Sequence, residues 1–184
     1  GWVIGDGSKL LPALHAVFVQ KKTLGTNDLT FTNTMRSKVL NPTMFKNDDI
    51  TVDYPAIKLS SAINTPNSIA DETVIMFKND ATSEIDSDYD ASKILNTDPM
   101  IPNLSSISNN GTYAINALPN TLSEATVIPL GFQVQTTGEY TINASDILNI
   151  PSNMSVYLED LANSKIQDLT MSPSYTFTAS KEEQ

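Results

Sequence analysis

The feature that most limits what this chain can fold into is a two-residue rhythm. In SYTFTA (174–179) and GEYTINA (138–144) apolar side chains recur at alternate positions. In an extended strand this puts them on one face of a sheet and their polar neighbours on the other. Similar short runs are LHAVFVQ (14–20), DLTFTNT (28–34), ETVIMFK (72–78), TYAINAL (112–118), TVIPLGFQVQ (126–135), SVYLEDL (155–161) and KIQDL (165–169). In ITVDYPAIKLS, Ile50, Val52 and Tyr54 alternate with Thr51 and Asp53, and the pattern resumes at Ile57 and Leu59. Pro55, between the two halves, marks an edge, a bulge or a break. The runs predict about ten short strands.

Their connections predict how the strands pair. TTG between Val134 and Tyr140 reads as a compact hairpin connection, and ANSK between Leu161 and Ile166 as another, which implies antiparallel neighbours. Helix signals are weak. ASDILNI (144–150) has Ser145 and Asp146 as candidate caps but stops at Pro151, and DASKIL (90–95) is barely one turn. The expected fold is therefore all-β: an antiparallel β-sandwich, Ig-like or jelly-roll-like, with little helix. The polar stretch LNPTMFKNDDI (40–50) marks a seam. Residues 1–45 are expected to complete an upstream domain or to pack on the main sandwich, since so small a block cannot bury its own core. Residues 46–184 are expected to form the sandwich module.

Composition narrows the function. Of 184 residues, 17 are Asn, 19 Ser and 20 Thr, a balance that favours strands and polar turns over helices. Cysteine is absent, which excludes disulfides, thiolate metal sites and Cys nucleophiles. Eleven Lys and Arg against 21 Asp and Glu give a net charge of −10, which repels a phosphate backbone, so nucleic acid is not an expected partner. No run reaches the roughly 18 apolar residues of a membrane span, and no membrane insertion is expected. The single His15 cannot build a His-rich zinc site, and neither a G-x-S-x-G, a P-loop nor a G-x-G-x-x-G is present.

FKNDATSEIDSDYDASK (77–93) is the one stretch that suggests chemistry. Asp80, Glu84, Asp86, Asp88 and Asp90 crowd between cations at its two ends. Asp86, Asp88 and Asp90 occupy positions 1, 3 and 5 of an EF-hand-like loop, a spacing of hard oxygen ligands that can wrap Ca²⁺. Position 6 is Ala91 instead of Gly and position 12 is Thr97 instead of Glu, which excludes a standard EF-hand and leaves an irregular calcium loop. Glu84 and Asp86 could be imagined as a glycosidase pair, but nothing sets their separation. The structural reading comes first: acids that cap turns and accept backbone N–H bonds. Tyr89 and Tyr113 are the tyrosines expected on loops or edges, and with the lone Trp2 they give a sugar platform faint support.

Taken in order, DETVIMFKNDATSEIDSDYDASKIL (71–95), YAINALP (113–119), VIPLGFQVQTTGEYTINASDI (127–147), VYLEDLANSKIQDL (156–169) and SYTFTA resemble a known module. It is the β-sandwich found near the C-termini of secreted and cell-surface Bacteroidetes proteins, commonly just before a type IX secretion sorting domain. LLPALHAVFVQKK with DLTFTNTMR resembles the strand pair that precedes it. The resemblance implies a secreted or surface-exposed location outside the outer membrane, and a non-catalytic structural or interaction module, adhesin-like or a spacer. Its partners would be other domains of the same polypeptide, and possible surface partners would be a cell-surface protein or a glycan. It carries no catalytic residues and no required cofactor beyond the candidate calcium. The Asp86 and Asp90 positions match acidic positions of the related modules. Those modules close with one more strand after the position of Phe177, where this sequence reads KEEQ, so an unpaired edge or a strand supplied by a neighbour is expected. A carbohydrate-binding module is the alternative function, and an accessory part of a hydrolase comes third.

Overall fold

The computed structural model describes residues 52–86, 88–108, 111–123 and 126–181. The strand candidates at 14–20 and 28–34, His15, Trp2 and the expected 1–45 unit lie outside them. Among the described residues there are ten strands and no helix. In chain order they are β1 (Ala56–Ile63), β2 (Asp71–Lys78), β3 (Ala91–Ser92), β4 (Asn103–Ser108), β5 (Gly111–Pro119), β6 (Leu130–Gln133), β7 (Gly138–Leu148), β8 (Tyr157–Asp160), β9 (Lys165–Asp168) and β10 (Ser174–Ala179).

Eight strands make one sheet in the order β10-β7-β1-β2-β5-β4-β6, with β3 beside β5, while β8 and β9 form a separate ribbon. The expected all-antiparallel pairing is corrected at the centre. There β2 and β5 run parallel, Val74 opposite Ile115 and Phe77 opposite Leu118. A parallel pair needs a long crossover, and the acidic loop, β3 and β4 lie in the chain between β2 and β5.

Alternation places the core. Ile57, Leu59 and Ile63 of β1 are buried on one face, while Ala56 joins Met76, Ile115 and Ala117 on the other. The sheet is therefore covered on both faces near its centre. On the first face Leu104 of β4, Ile142 and Ala144 of β7 and Leu169 complete a cluster, with Phe132, Leu158 and Phe177 packed against it. Phe132 comes from the edge strand β6 and Phe177 from the opposite edge β10, yet their ring centroids are 5.0 Å apart and meet edge to face. The sheet must curl to bring its two edges so close, and it forms a half-barrel. Tyr140, fully buried, lies 5.5 Å from Phe132 and donates its hydroxyl to Thr136 O at 2.5 Å. Such edge-to-face pairs contribute about 1 kcal/mol beyond burial. Within the core, Ser61 Oγ and Asn116 Nδ2 are buried without a hydrogen-bond partner among the described residues.

Three local expectations need correction. TTG does not close a hairpin, because β6 pairs only with β4 and β7 only with β1 and β10. ASDILNI is not helical. Its first five residues, through Leu148, continue β7, and the pairing shifts between Lys58 and Leu59, leaving Ser145 as the extra residue of a bulge. DASKIL contributes only the two residues of β3. By contrast, the first three residues of ANSK lie in the turn that joins β8 to β9 as a hairpin, with Ser164 at φ 51°, and Lys165 opens β9. Pro55 is a break, since β1 starts at Ala56.

Candidate functional site

The acidic loop leaves β2 at Lys78 and returns to the sheet at β3. Asp86 O accepts the N–H groups of Tyr89 (3.0 Å) and Asp90 (2.7 Å), which closes a single tight turn. Asp90 then locks it. One carboxylate oxygen accepts Asp86 N–H at 2.7 Å, and the other accepts Ala117 N–H on β5, also at 2.7 Å. The second bond has a topological reason. β3 runs antiparallel to β5 with Ala91 opposite Ile115, so the residue before β3 arrives beside Ala117, and the Asp90 side chain fills the place where the ladder stops. Asp86 Oδ1 accepts Asp88 N–H at 3.4 Å, a weak bond at the outer limit of hydrogen-bond geometry.

The three residues singled out by spacing thus sit on one turn, but Asp86 and Asp90 direct their carboxylates at the chain's own backbone. Among the described residues no group of three or more His, Asp or Glu side chains is arranged to hold a metal ion. Glu84 is exposed, and its backbone N–H and C=O both bond the Thr82 hydroxyl.

At the root of the loop, Lys78 Nζ lies 4.6 Å from the Tyr54 ring centroid and 4.7 Å from that of Tyr89, a cation held between two aromatic faces. The Tyr89 hydroxyl donates to Asp80. That bond pushes the Tyr89 hydroxyl up to about 12 and holds the Asp80 carboxyl below its ordinary value. Asn120 Nδ2 donates to Asn79 Oδ1 at 3.1 Å. Asp53, Tyr54, Lys78, Asn79, Asp80 and Asn120 line a shallow cleft of about 180 Å³. A larger, open cleft of about 540 Å³ is lined by Ile107, Leu118, Val127, Ile128 and Pro129.

A third arrangement was not anticipated from the sequence. Lys93 Nζ meets Asp71 Oδ2 at 2.5 Å, with side chains only 3% and 13% exposed. The same Asp71 oxygen accepts Leu104 N–H at 2.7 Å, so it ties the start of β2 to β4 and to the segment after β3. One signal could have revealed it: Lys93 is the sole cation between Lys78 and Lys165.

At the far side of the sheet, Tyr175 of β10 donates to Asp160 at the end of β8 at 2.7 Å. Burial pushes the Asp160 carboxyl up, but the Asn163 side-chain amide and backbone N–H, the Tyr175 hydroxyl and the Ala162 N–H outweigh it and hold the group below its usual value. Burial and the bond to Asp160 push the Tyr175 hydroxyl up to about 12.

No helix among the described residues is long and apolar enough to cross a membrane. No curated protein and no solved structure matches the chain. The chain belongs to a family described as a domain of unknown function, DUF8693, which matches it over residues 6–184.

Proposed function

We propose that this chain is a non-catalytic structural or interaction module of a secreted or surface-anchored bacterial protein, working beside other domains of the same polypeptide. The observation that carries this reading is the use made of Asp90 and Asp86: carboxylates that sequence spacing nominates for chemistry accept backbone N–H groups and shape a loop. The Bacteroidetes surface-module resemblance supports the location, and type IX export belongs to the same proposal. In its finer fold the half-barrel is read as a sandwich, with β10-β7-β1 as one layer facing β4-β6 across Leu104, Phe132 and Phe177.

Carbohydrate binding is the second reading, favoured by the cleft where Tyr54 stands beside Asp53, Asn79, Asp80 and Asn120, and by the Tyr89 ring that Lys78 of the same cleft also meets. Against it, Lys78 already stacks over both rings. A glycan array separates the two. The module reading expects no glycan retained above the signal of a Tyr54→Ala, Tyr89→Ala chain, and a glycan bound by the natural chain and lost from that variant would replace it with the sugar-binding reading. Calcium at Asp86, Asp88 and Asp90 stays within the proposal as a stabiliser of the loop and is tested separately below.

A further inference from the structure

Lys93 is out of place as an ordinary surface lysine. A cation with a 3% exposed side chain gives up its hydration, and a buried ion pair of this kind often contributes no more stability than an apolar pair of the same size. The chain nevertheless places its only cation between Lys78 and Lys165 there, against Asp71. The contact sets the nitrogen of an amine beside a carboxyl group. Lys93 Nζ is 2.5 Å from Asp71 Oδ2, and the main chain fixes both residues: Lys93 N–H bonds Thr112 O at 2.8 Å, and Asp71 begins β2 in register with Ser61 of β1. Two groups held side by side in this way gain part of the entropic advantage of an intramolecular reaction.

We propose that Lys93 and Asp71 are a modification site at which the chain condenses with itself, forming an isopeptide bond between Lys93 Nζ and Asp71 Cγ with release of one water. Proton transfer across the contact converts ammonium and carboxylate into an amine and a carboxylic acid. The nitrogen lone pair adds to Cγ and Oδ1 takes the charge, while the Leu104 N–H, 2.7 Å from Oδ2, keeps the protonated oxygen in place. The bond from Cγ to Oδ2 breaks, and Oδ2, already carrying the first proton, leaves as water with a second taken from nitrogen as Oδ1 returns to a carbonyl. No oxidant or second substrate is required. In a chain without cysteine this amide is a covalent staple that needs no disulfide, and it would close a ring containing β2, the acidic loop and β3.

Intact-mass measurement on the purified full chain, made under denaturing conditions, tests this directly. The natural chain is expected to be lighter than its sequence by one water, and Lys93→Arg and Asp71→Ala are expected to regain the full mass. Because the reading is taken on unfolded protein, a variant that folds poorly still reports. Trypsin should fail to cut after Lys93 and should yield a branched fragment joining residues 59–78 to 79–165. A natural chain at full sequence mass overturns the proposal. So does a water loss that persists in Lys93→Arg, which would place the dehydration elsewhere.

Discussion

The acidic loop and the β8–β9 ribbon are both excursions from the main sheet, and they are held by opposite means. The ribbon has a ladder of its own, with Tyr157 opposite Asp168 and Asp160 opposite Lys165, and it sends Leu158 into the core beside Val156 and Leu169. Its polar tie to the sheet, Asp160 to Tyr175, comes on top of that apolar anchorage. The loop has little of either. Ala81 is its one buried apolar residue among those described, and its shape rests on carboxylates that accept backbone N–H groups. Removing a carboxylate from the loop therefore orphans main-chain donors, whereas removing one from the ribbon loosens an element that still has an apolar underside.

The largest expected effect follows from that contrast. Asp90→Ala leaves the N–H groups of Asp86 and Ala117 without their acceptor and should cost about 3 kcal/mol, read by urea unfolding; a cost no greater than that of removing the ribbon tie would break the comparison. Tyr175→Phe should cost about 1 kcal/mol, the scale of one hydrogen bond. The same tie has a pH signature. Asp160 is held below its ordinary value, so its contribution is complete above about pH 4 and is lost as pH falls through the lowered value. Tyr175 is raised to about 12, so on the alkaline side the contribution is complete below about pH 10 and is lost as pH climbs towards that value. A chain carrying Tyr175→Phe should show a flatter alkaline limb in a stability–pH profile, and an unchanged limb would remove the ribbon tie from the account.

Smaller effects sharpen the picture. Among the described residues Ser61 Oγ has no partner to lose, so Ser61→Ala should change stability by less than about 0.5 kcal/mol or raise it slightly, checked by thermal melting. The calcium reading expects millimolar Ca²⁺ to raise Tm by a few degrees and a chelator to reverse it, through mass action on the folded state. A melting curve indifferent to both would leave Asp90 and Asp86 as backbone acceptors alone.

Much of the strand pattern was legible because alternation is a local property. SYTFTA coincides with β10, and ETVIMFK falls one residue short of β2. β4 was missed because NLSSIS places Ser105 and Ser106 in buried positions where the pattern looks for apolar side chains. That omission also explains the misread TTG: with β4 invisible, β6 had no partner in sequence except β7. The parallel β2–β5 pair was beyond reach for a different reason, since which strands become neighbours is decided by packing across the whole sheet and leaves no mark on either strand alone. At the site, the Asp86 and Asp90 positions were correctly picked out as a turn-forming acidic cluster. The acceptor on β5 was not visible, because Ala117 lies 27 residues from Asp90 in sequence.

The place of β7 in the strand order has a consequence for the timing of folding. Ala56 at the start of β1 pairs with Leu148, and Ile63 at its end pairs with Tyr140. As the chain is delivered from its N-terminus, one side of β1 has no partner among the described strands until residues from about 140 onward emerge, and β7 itself remains an edge until β10 follows. Such distant pairings delay completion, and an unpaired edge invites pairing with another chain. A product cut off before residue 138 would present that edge of β1 permanently, so for this architecture a prematurely ended chain is an aggregation hazard rather than a smaller folded protein.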